Sequence, residues 1–132
     1  LADYLARTQP AMPVEVQAIQ IGPVVLVANP AELFCHLGLQ IKAASKFPCT
    51  FIVELANGSA GYVPGRDAFR PDGGGYETVL TSYSTLAADA GEKIVRAAAG
   101  LLADLPPGVL PAPALVKAPG NPWAYGVLGP DA

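Results

Sequence analysis

Charge is what this sequence has least of. Asp, Glu, Lys and Arg make up 14% of its 132 residues, where an ordinary globular domain has roughly 25%. So sparse a charged surface implies that some of it is covered, by another chain or by further polypeptide of the same domain. The eight basic residues form no cluster and the net charge is −3. A nucleic-acid backbone requires several Lys or Arg on one face, so no nucleic acid is expected as a partner. Long apolar runs are missing too: nothing approaches the ~20 residues that cross a bilayer, and no membrane span is expected. The two cysteines, Cys35 and Cys49, fit neither a zinc nor a redox spacing. Small buried thiols are the first reading of them and a disulfide the second. The sequence starts at Leu1 with neither an initiator Met nor a signal-peptide pattern, which reads as a processed chain or an excised fragment.

What is present is apolar: 52% of the residues are hydrophobic, enough for one domain with a real core. Leu1–Pro10 has no clear period and reads as the end of a preceding helix. Val14–Ala18 alternates as a half-buried strand does, and Ile19 and Ile21 then continue the apolar set out of phase, which predicts a β-bulge near Ala18. Gly22-Pro23 is a turn signal before the continuous run Val24–Ala28, so a tight antiparallel hairpin with a deep second strand is expected. Asn29-Pro30-Ala31-Glu32 has the pattern of a helix start, with Asn29 as cap, Pro30 at the first helical position and Glu32 closing a capping box. Leu33, Leu37, Ile41 and Ala44 recur at helical spacing until Phe47-Pro48, and Thr50–Leu55 is a β-branched and aromatic strand.

Strand, helix, strand predicts a βαβ unit with parallel strands, and therefore a shared rim at their C-terminal ends, where α/β sheets bind ligands. Glu32 follows one strand end and Asn57–Tyr62 the other, so residues thirty apart in sequence can be neighbours in space. Asn57–Thr78 is a long Gly/Pro-rich loop of the kind that is functional or disordered, followed by a short extended stretch over Thr78–Ser84. A second amphipathic helix is expected from Ser84 or Thr85 to about Leu105, with the stripe Leu86, Ala90, Ile94, Ala97 and Leu101 and the exposed pairs Asp89–Lys93 and Glu92–Arg96. From Pro106 the chain reads as an extended Pro-rich tail whose Trp123 and Tyr125 dock on a neighbouring surface. The fold class expected is thus α/β, with residues 1–105 as the folded portion and 106–132 as the tail.

Several side chains could carry chemistry. Glu32 is either a capping-box residue, the reading its spacing favours, or a metal ligand or acid/base at a strand end. His36, the only histidine, is four residues further on, so one helical face could present both to a metal. It lies off the apolar stripe, and a solvated surface histidine is the better reading. Tyr62 and Tyr76 are loop tyrosines, which ordinarily pack a ring and leave the hydroxyl wet. Gly73-Gly74-Gly75 lacks the Lys-Ser/Thr ending of a phosphate loop and reads as a flexible run. Ser59 has no visible base. Arg66 and Arg70 could clamp an anion, or pair with Asp67 and Asp72.

Three segments in collinear order carry a resemblance: Ile21-Gly22 through Val27-Ala28-Asn29-Pro30-Ala31-Glu32-Leu33-Phe34, then Phe51 through Asn57-Gly58-Ser59-Ala60-Gly61-Tyr62-Val63-Pro64-Gly65-Arg66, then Gly75-Tyr76-Glu77. From about Val14 to Leu102 the chain resembles the neutral/alkaline non-lysosomal ceramidases, and more closely their shorter bacterial ceramidase-like relatives. The resemblance implies a zinc-dependent amide hydrolase that cleaves ceramide to a sphingoid base and a fatty acid. In that family zinc is held by two histidines, a glutamate after a Pro-Gly pair and a tyrosine ending an Asn-x-x-x-x-Tyr segment. Glu32 and Tyr62 match the last two roles. A second tyrosine followed by Glu polarises the amide carbonyl, and Tyr76 matches it. The family's Pro-Gly-Glu is Pro30-Ala31-Glu32 here, and its zinc histidines and catalytic serine have no counterpart in this chain. The resemblance therefore implies the C-terminal portion of a catalytic domain, completed by an N-terminal part or a second chain, with a secreted or membrane-surface location and a ceramide-like amide as substrate. The alternative left open is a non-catalytic α/β module that binds a partner through its apolar face and tail.

Overall fold

A computed structural model describes residues 11–82 and 84–109, with Asp3, Ala6 and Ala112 as isolated positions. The expected helix end over Leu1–Pro10 and the tail beyond residue 109, including Trp123 and Tyr125, lie outside the described residues. Strands β1 (Gln17–Ile21) and β2 (Val24–Ala28) form the expected antiparallel hairpin around Gly22-Pro23, with Ile21 opposite Val24 and Gln17 opposite Ala28. Strand β4 (Cys49–Val53) lies parallel to β2 on its other side, giving the order β1-β2-β4. Between β2 and β4 come a two-residue strand β3 (Glu32–Leu33) and helix α1 (Cys35–Ala43). Strand β5 (Tyr62–Val63) pairs parallel with β3 in a second, two-stranded sheet. Helix α2 (Ala90–Asp104) closes the described fold. The mixture of strands and helices is an α/β fold. No helix among the described residues is long and apolar enough to cross a membrane.

The pairing of β1 with β2 is regular along its whole length, so there is no bulge at Ala18. Val14, Val16 and Ala18 keep one phase and pack on the core. Ile19 and Ile21 instead point to the other face, 51% and 64% exposed. Their apolar character suggested a phase slip, but what they mark is an uncovered side of the sheet. Ile19 is in register with Leu26, and Leu26 with Phe51, which is also 51% exposed. Both helices lie on the opposite face, where Val25 and Val27 meet Leu37 and Ile41 of α1 and Ile94, Ala98 and Leu102 of α2. Phe47, expected to stop the helix, is itself a core residue; α1 has already ended at Ala43.

Two other expectations shift. Helix α2 starts at Ala90 rather than near Ser84, and no strand forms among the described residues between Thr78 and Ser84. Its buried stripe is Gly91, Ile94, Ala98 and Leu102, while Ala97 and Leu101 face solvent. Gly91 sits where α2 meets α1. A Cβ there would stand 2.5 Å from the Leu37 Cδ1 atom and 3.4 Å from the Pro64 carbonyl, so the missing side chain is what lets α2 approach α1. The Asp89–Lys93 ion pair forms at 2.9 Å, and it holds the Asp89 carboxyl below its usual range. Glu92–Arg96 does not form: the Glu92 Oε2 atom is buried without a partner among the described residues. Both cysteines are free, and Cys35 is exposed rather than buried.

Candidate functional site

Asn29 begins the site. Its side chain is almost fully buried, and its Oδ1 accepts the Ala31 N–H at 3.0 Å, an Asx turn rather than a helix cap. A capping box would need the Asn29 oxygen on the Glu32 N–H and the Glu32 carboxylate on the Asn29 N–H. Both amides are taken elsewhere: Glu32 N–H donates to Gly61 O at 3.0 Å, and Asn29 N–H to Val53 O at 3.0 Å. The Asn29-Pro30-Ala31-Glu32 helix start is therefore overturned. The segment instead bends at Pro30 and Ala31 before strand β3, bonded between the end of β4 and the approach to β5, with Ala60 N–H donating to Pro30 O at 2.7 Å and Phe34 N–H to Val63 O at 3.1 Å. Helix α1 begins only after Phe34.

The consequence for Glu32 is its neighbour. In the β3–β5 pairing Glu32 is the register partner of Tyr62, and Leu33 that of Val63. The sequence argument placed these residues at one rim; the fold makes them adjacent across two strands. Tyr76 joins them. Its ring meets that of Tyr62 edge to face, with centroids 5.1 Å apart at 84°. Hydrogen bonding with the Tyr76 hydroxyl, then with the Glu32 carboxylate, pushes the Tyr62 phenol up to about 12, because both partners favour the protonated form. Tyr76 itself is 72% exposed.

The turn that presents Tyr76 is built by the glycine run. Tyr76–Thr78 is a single 3-10 turn, closed by Thr78 N–H and Oγ1 donating to Gly75 O at 3.2 and 2.8 Å. Gly74 has φ +72°, and a Cβ there would run into Ala68 O and the Thr78 side chain. The run read as flexible is thus a packed turn against Arg66–Phe69, a second 3-10 turn.

Other candidates are not brought in. Glu32 and His36 do not share a helical face, because Glu32 is in β3 and the helix begins at Cys35. His36 is exposed and lies edge-on to Phe34, the surface histidine expected. Ser59 is exposed. Arg66 and Arg70 form no ion pair with Asp67 or Asp72, the Asp89–Lys93 pair being the one among the described residues. Glu54 was missed by the sequence reading and stands beside the site. Burial raises its carboxyl, the Glu32 charge raises it further, and a hydrogen bond from the Leu33 N–H partly offsets both. The only signal for it was its place just after a strand, which many surface glutamates share.

The donor set is therefore Glu32 carboxylate and Tyr62 phenol, with Tyr76 alongside. This suits half of a zinc site: one hard carboxylate, and one phenol whose anion forms only when a dication favours it. No group of three or more His, Cys, Asp or Glu fit to hold a metal occurs among the described residues. No protein-family model, curated protein or solved structure matches the chain.

Proposed function

We propose that the Glu32–Tyr62–Tyr76 cluster is one half of a zinc-dependent amide-hydrolysing site of the ceramidase type. One observation carries this reading: Glu32 and Tyr62 are register partners on adjacent strands, and the Tyr76 ring packs on Tyr62. Three residues singled out by separate motifs thus share a site, which their spacing in the chain did not require. In this reading Glu32 and Tyr62 hold zinc, with two histidines supplied by polypeptide outside this sequence. Zinc, when bound, supplies Lewis acidity and a nucleophile at neutral pH. Glu32 serves as the anionic ligand, and its position is fixed by the backbone bonds on either side of it. Tyr62 would be the second oxygen ligand, its phenolate form favoured by the dication. Tyr76 donates its hydroxyl proton in a hydrogen bond to the oxygen that gains charge as the amide carbonyl is attacked, a contact worth about 2.7–4 kcal/mol in comparable sites. The substrate is an amide with long apolar chains, ceramide being the type the resemblance names.

The test is metal content and amidase activity of the complete gene product. Tyr76→Phe should lower kcat by about 100- to 1000-fold with zinc content unchanged, and Tyr62→Phe should lower both. Wild-type zinc and activity in Tyr62→Phe would remove it as a ligand. The second reading, a non-catalytic module binding through its apolar surface, draws support from the uncovered face of Ile19, Leu26 and Phe51. It is favoured if the complete product takes up no zinc.

A further inference from the structure

After α2 the chain is held to one end of the three-stranded sheet. The Pro106 carbonyl accepts the Gln20 side-chain N–H at 3.3 Å, and Gln20 shares the helix-covered side of the sheet with its register partner Val25. Two residues on, Gly108 is pressed against the hairpin turn. A Cβ there would stand 2.7 Å from Pro23 Cα, 2.9 Å from Gly22 O and 3.0 Å from Phe47 Cδ1. The segment thus passes from the covered side to the turn, and Val109, the next residue, is 76% exposed.

Beside that turn the uncovered face begins. Residues opposite one another on paired strands point to the same side of a sheet. Ile21, Val24 and Cys49 are in register next to the turn, and Ile19, Leu26 and Phe51 follow two positions along. Ile19, Ile21 and Phe51 are each at least half exposed, and neither row holds a charged residue. The sequence from residue 110 matches such a face in character. It carries Leu115, Val116, Trp123, Tyr125, Val127 and Leu128, and its only charges are Lys117 and Asp131. Pro111, Pro113, Pro119 and Pro122 lack the N–H that pairing with a strand edge requires, so the stretch suits packing on a face rather than adding a strand. Reach is ample: five strand residues cover about 17 Å, and the stretch from residue 110 to Trp123 extends to about 40 Å in a Pro-rich chain. The chain before β1 is led to the other side, because Val14 and Val16 pack on the core.

We propose that residues 110–128 fold back across the open sheet face of their own chain, with Trp123 and Tyr125 seated on Ile19, Leu26 and Phe51 and the Gly108 contact as the pivot that sends them there. The tail, rather than a second copy or another protein, then forms a third layer. A tethered contact of this kind yields to competition, and an apolar dye in excess displaces the tail by mass action. Zinc plays no part in it.

Trp123 is the only tryptophan, so fluorescence of the full chain reads the tail directly. In the wild type its emission should lie at shorter wavelength than in the urea-unfolded chain, and acrylamide should quench it several-fold less. Both differences should be lost in Ile19→Thr with Phe51→Thr. Wild-type emission and quenching equal to those of the unfolded chain overturn the proposal whether or not the variant folds, and so does a shift that the double variant retains. A shift that fades on dilution assigns the contact to a second copy and overturns it as well. Cys49 gives a readout that leaves the sheet untouched, and it decides alone if the double variant unfolds. Trp123→Ser with Tyr125→Ser should raise several-fold the rate at which a soluble disulfide reagent modifies the free Cys49 thiol. Cys35, exposed at the start of α1 on the helix side, should react as before. An unchanged Cys49 rate overturns the proposal.

Discussion

The Tyr62 proton links the site to the stability of the fold. The folded chain holds it to about 12, against roughly 10 for an unperturbed tyrosine. A group whose folded pKa is raised contributes stability that is complete below its unfolded value and is lost as the pH climbs through the folded one. The stability difference between wild type and Tyr62→Phe should therefore be constant up to about pH 10 and shrink between about 10 and 12. Urea melts of both proteins across that window measure it; a difference that does not change with pH would show that the phenol proton is not shared in the folded state. At this scale the sequence told part of the story. The motifs named Glu32, Tyr62 and Tyr76, but a motif has no position in space. Glu54 had no motif at all.

At the scale of elements, the approach of α2 to α1 depends on Gly91. Replacing a helical glycine by alanine ordinarily stabilises by about 1 kcal/mol. At Gly91 the new methyl would meet the enclosed Leu37 side chain at 2.5 Å, and overpacking of a core costs about 1–3 kcal/mol. Gly91→Ala should thus be a net loss of about 1 kcal/mol, read as a lower urea midpoint, while Gly100→Ala, where a Cβ meets nothing within 4 Å, should be a gain. If Gly91→Ala were as stabilising as Gly100→Ala, the close helix contact would be wrong. The hairpin, the parallel return of β4 and the existence of two helices were all legible from turn residues and apolar period. The start of α1 was not. Asn29-Pro30-Ala31-Glu32 has every local mark of a helix N-terminus, yet the amides that would open the helix are bonded to Val53 and Gly61. Tertiary bonds override local preference because a capping interaction contributes only about 1 kcal/mol, less than several backbone bonds made together.

Taken whole, the described fold is two layers deep, with both helices on one face of the sheet and Ile19, Leu26 and Phe51 in a row on the other. Sheets containing parallel strands are usually covered on both sides, and the low charge of the sequence agrees with a face that is not built for water. Ile19→Thr with Phe51→Thr keeps strand-compatible residues while removing apolar surface. The double variant should bind the dye ANS several-fold less than wild type and change stability by no more than about 1.5 kcal/mol. Undiminished dye binding would place the exposed apolar surface elsewhere.

By itself the sequence determined the α/β class, the hairpin at Gly22-Pro23 and the parallel relation of the two strands around α1. These follow from short-range chemistry: side-chain period, turn residues and motif spacing are all local quantities. Only the tertiary structure decided that Glu32 lies in a strand opposite Tyr62, that Gly73-Gly74-Gly75 is a packed turn presenting Tyr76, and that one face of the sheet is bare. Each depends on which backbone groups find partners far away in sequence, as when Glu32 bonds Gly61 and Asn29 bonds Val53. A residue's neighbours along the chain limit those partners but do not choose them.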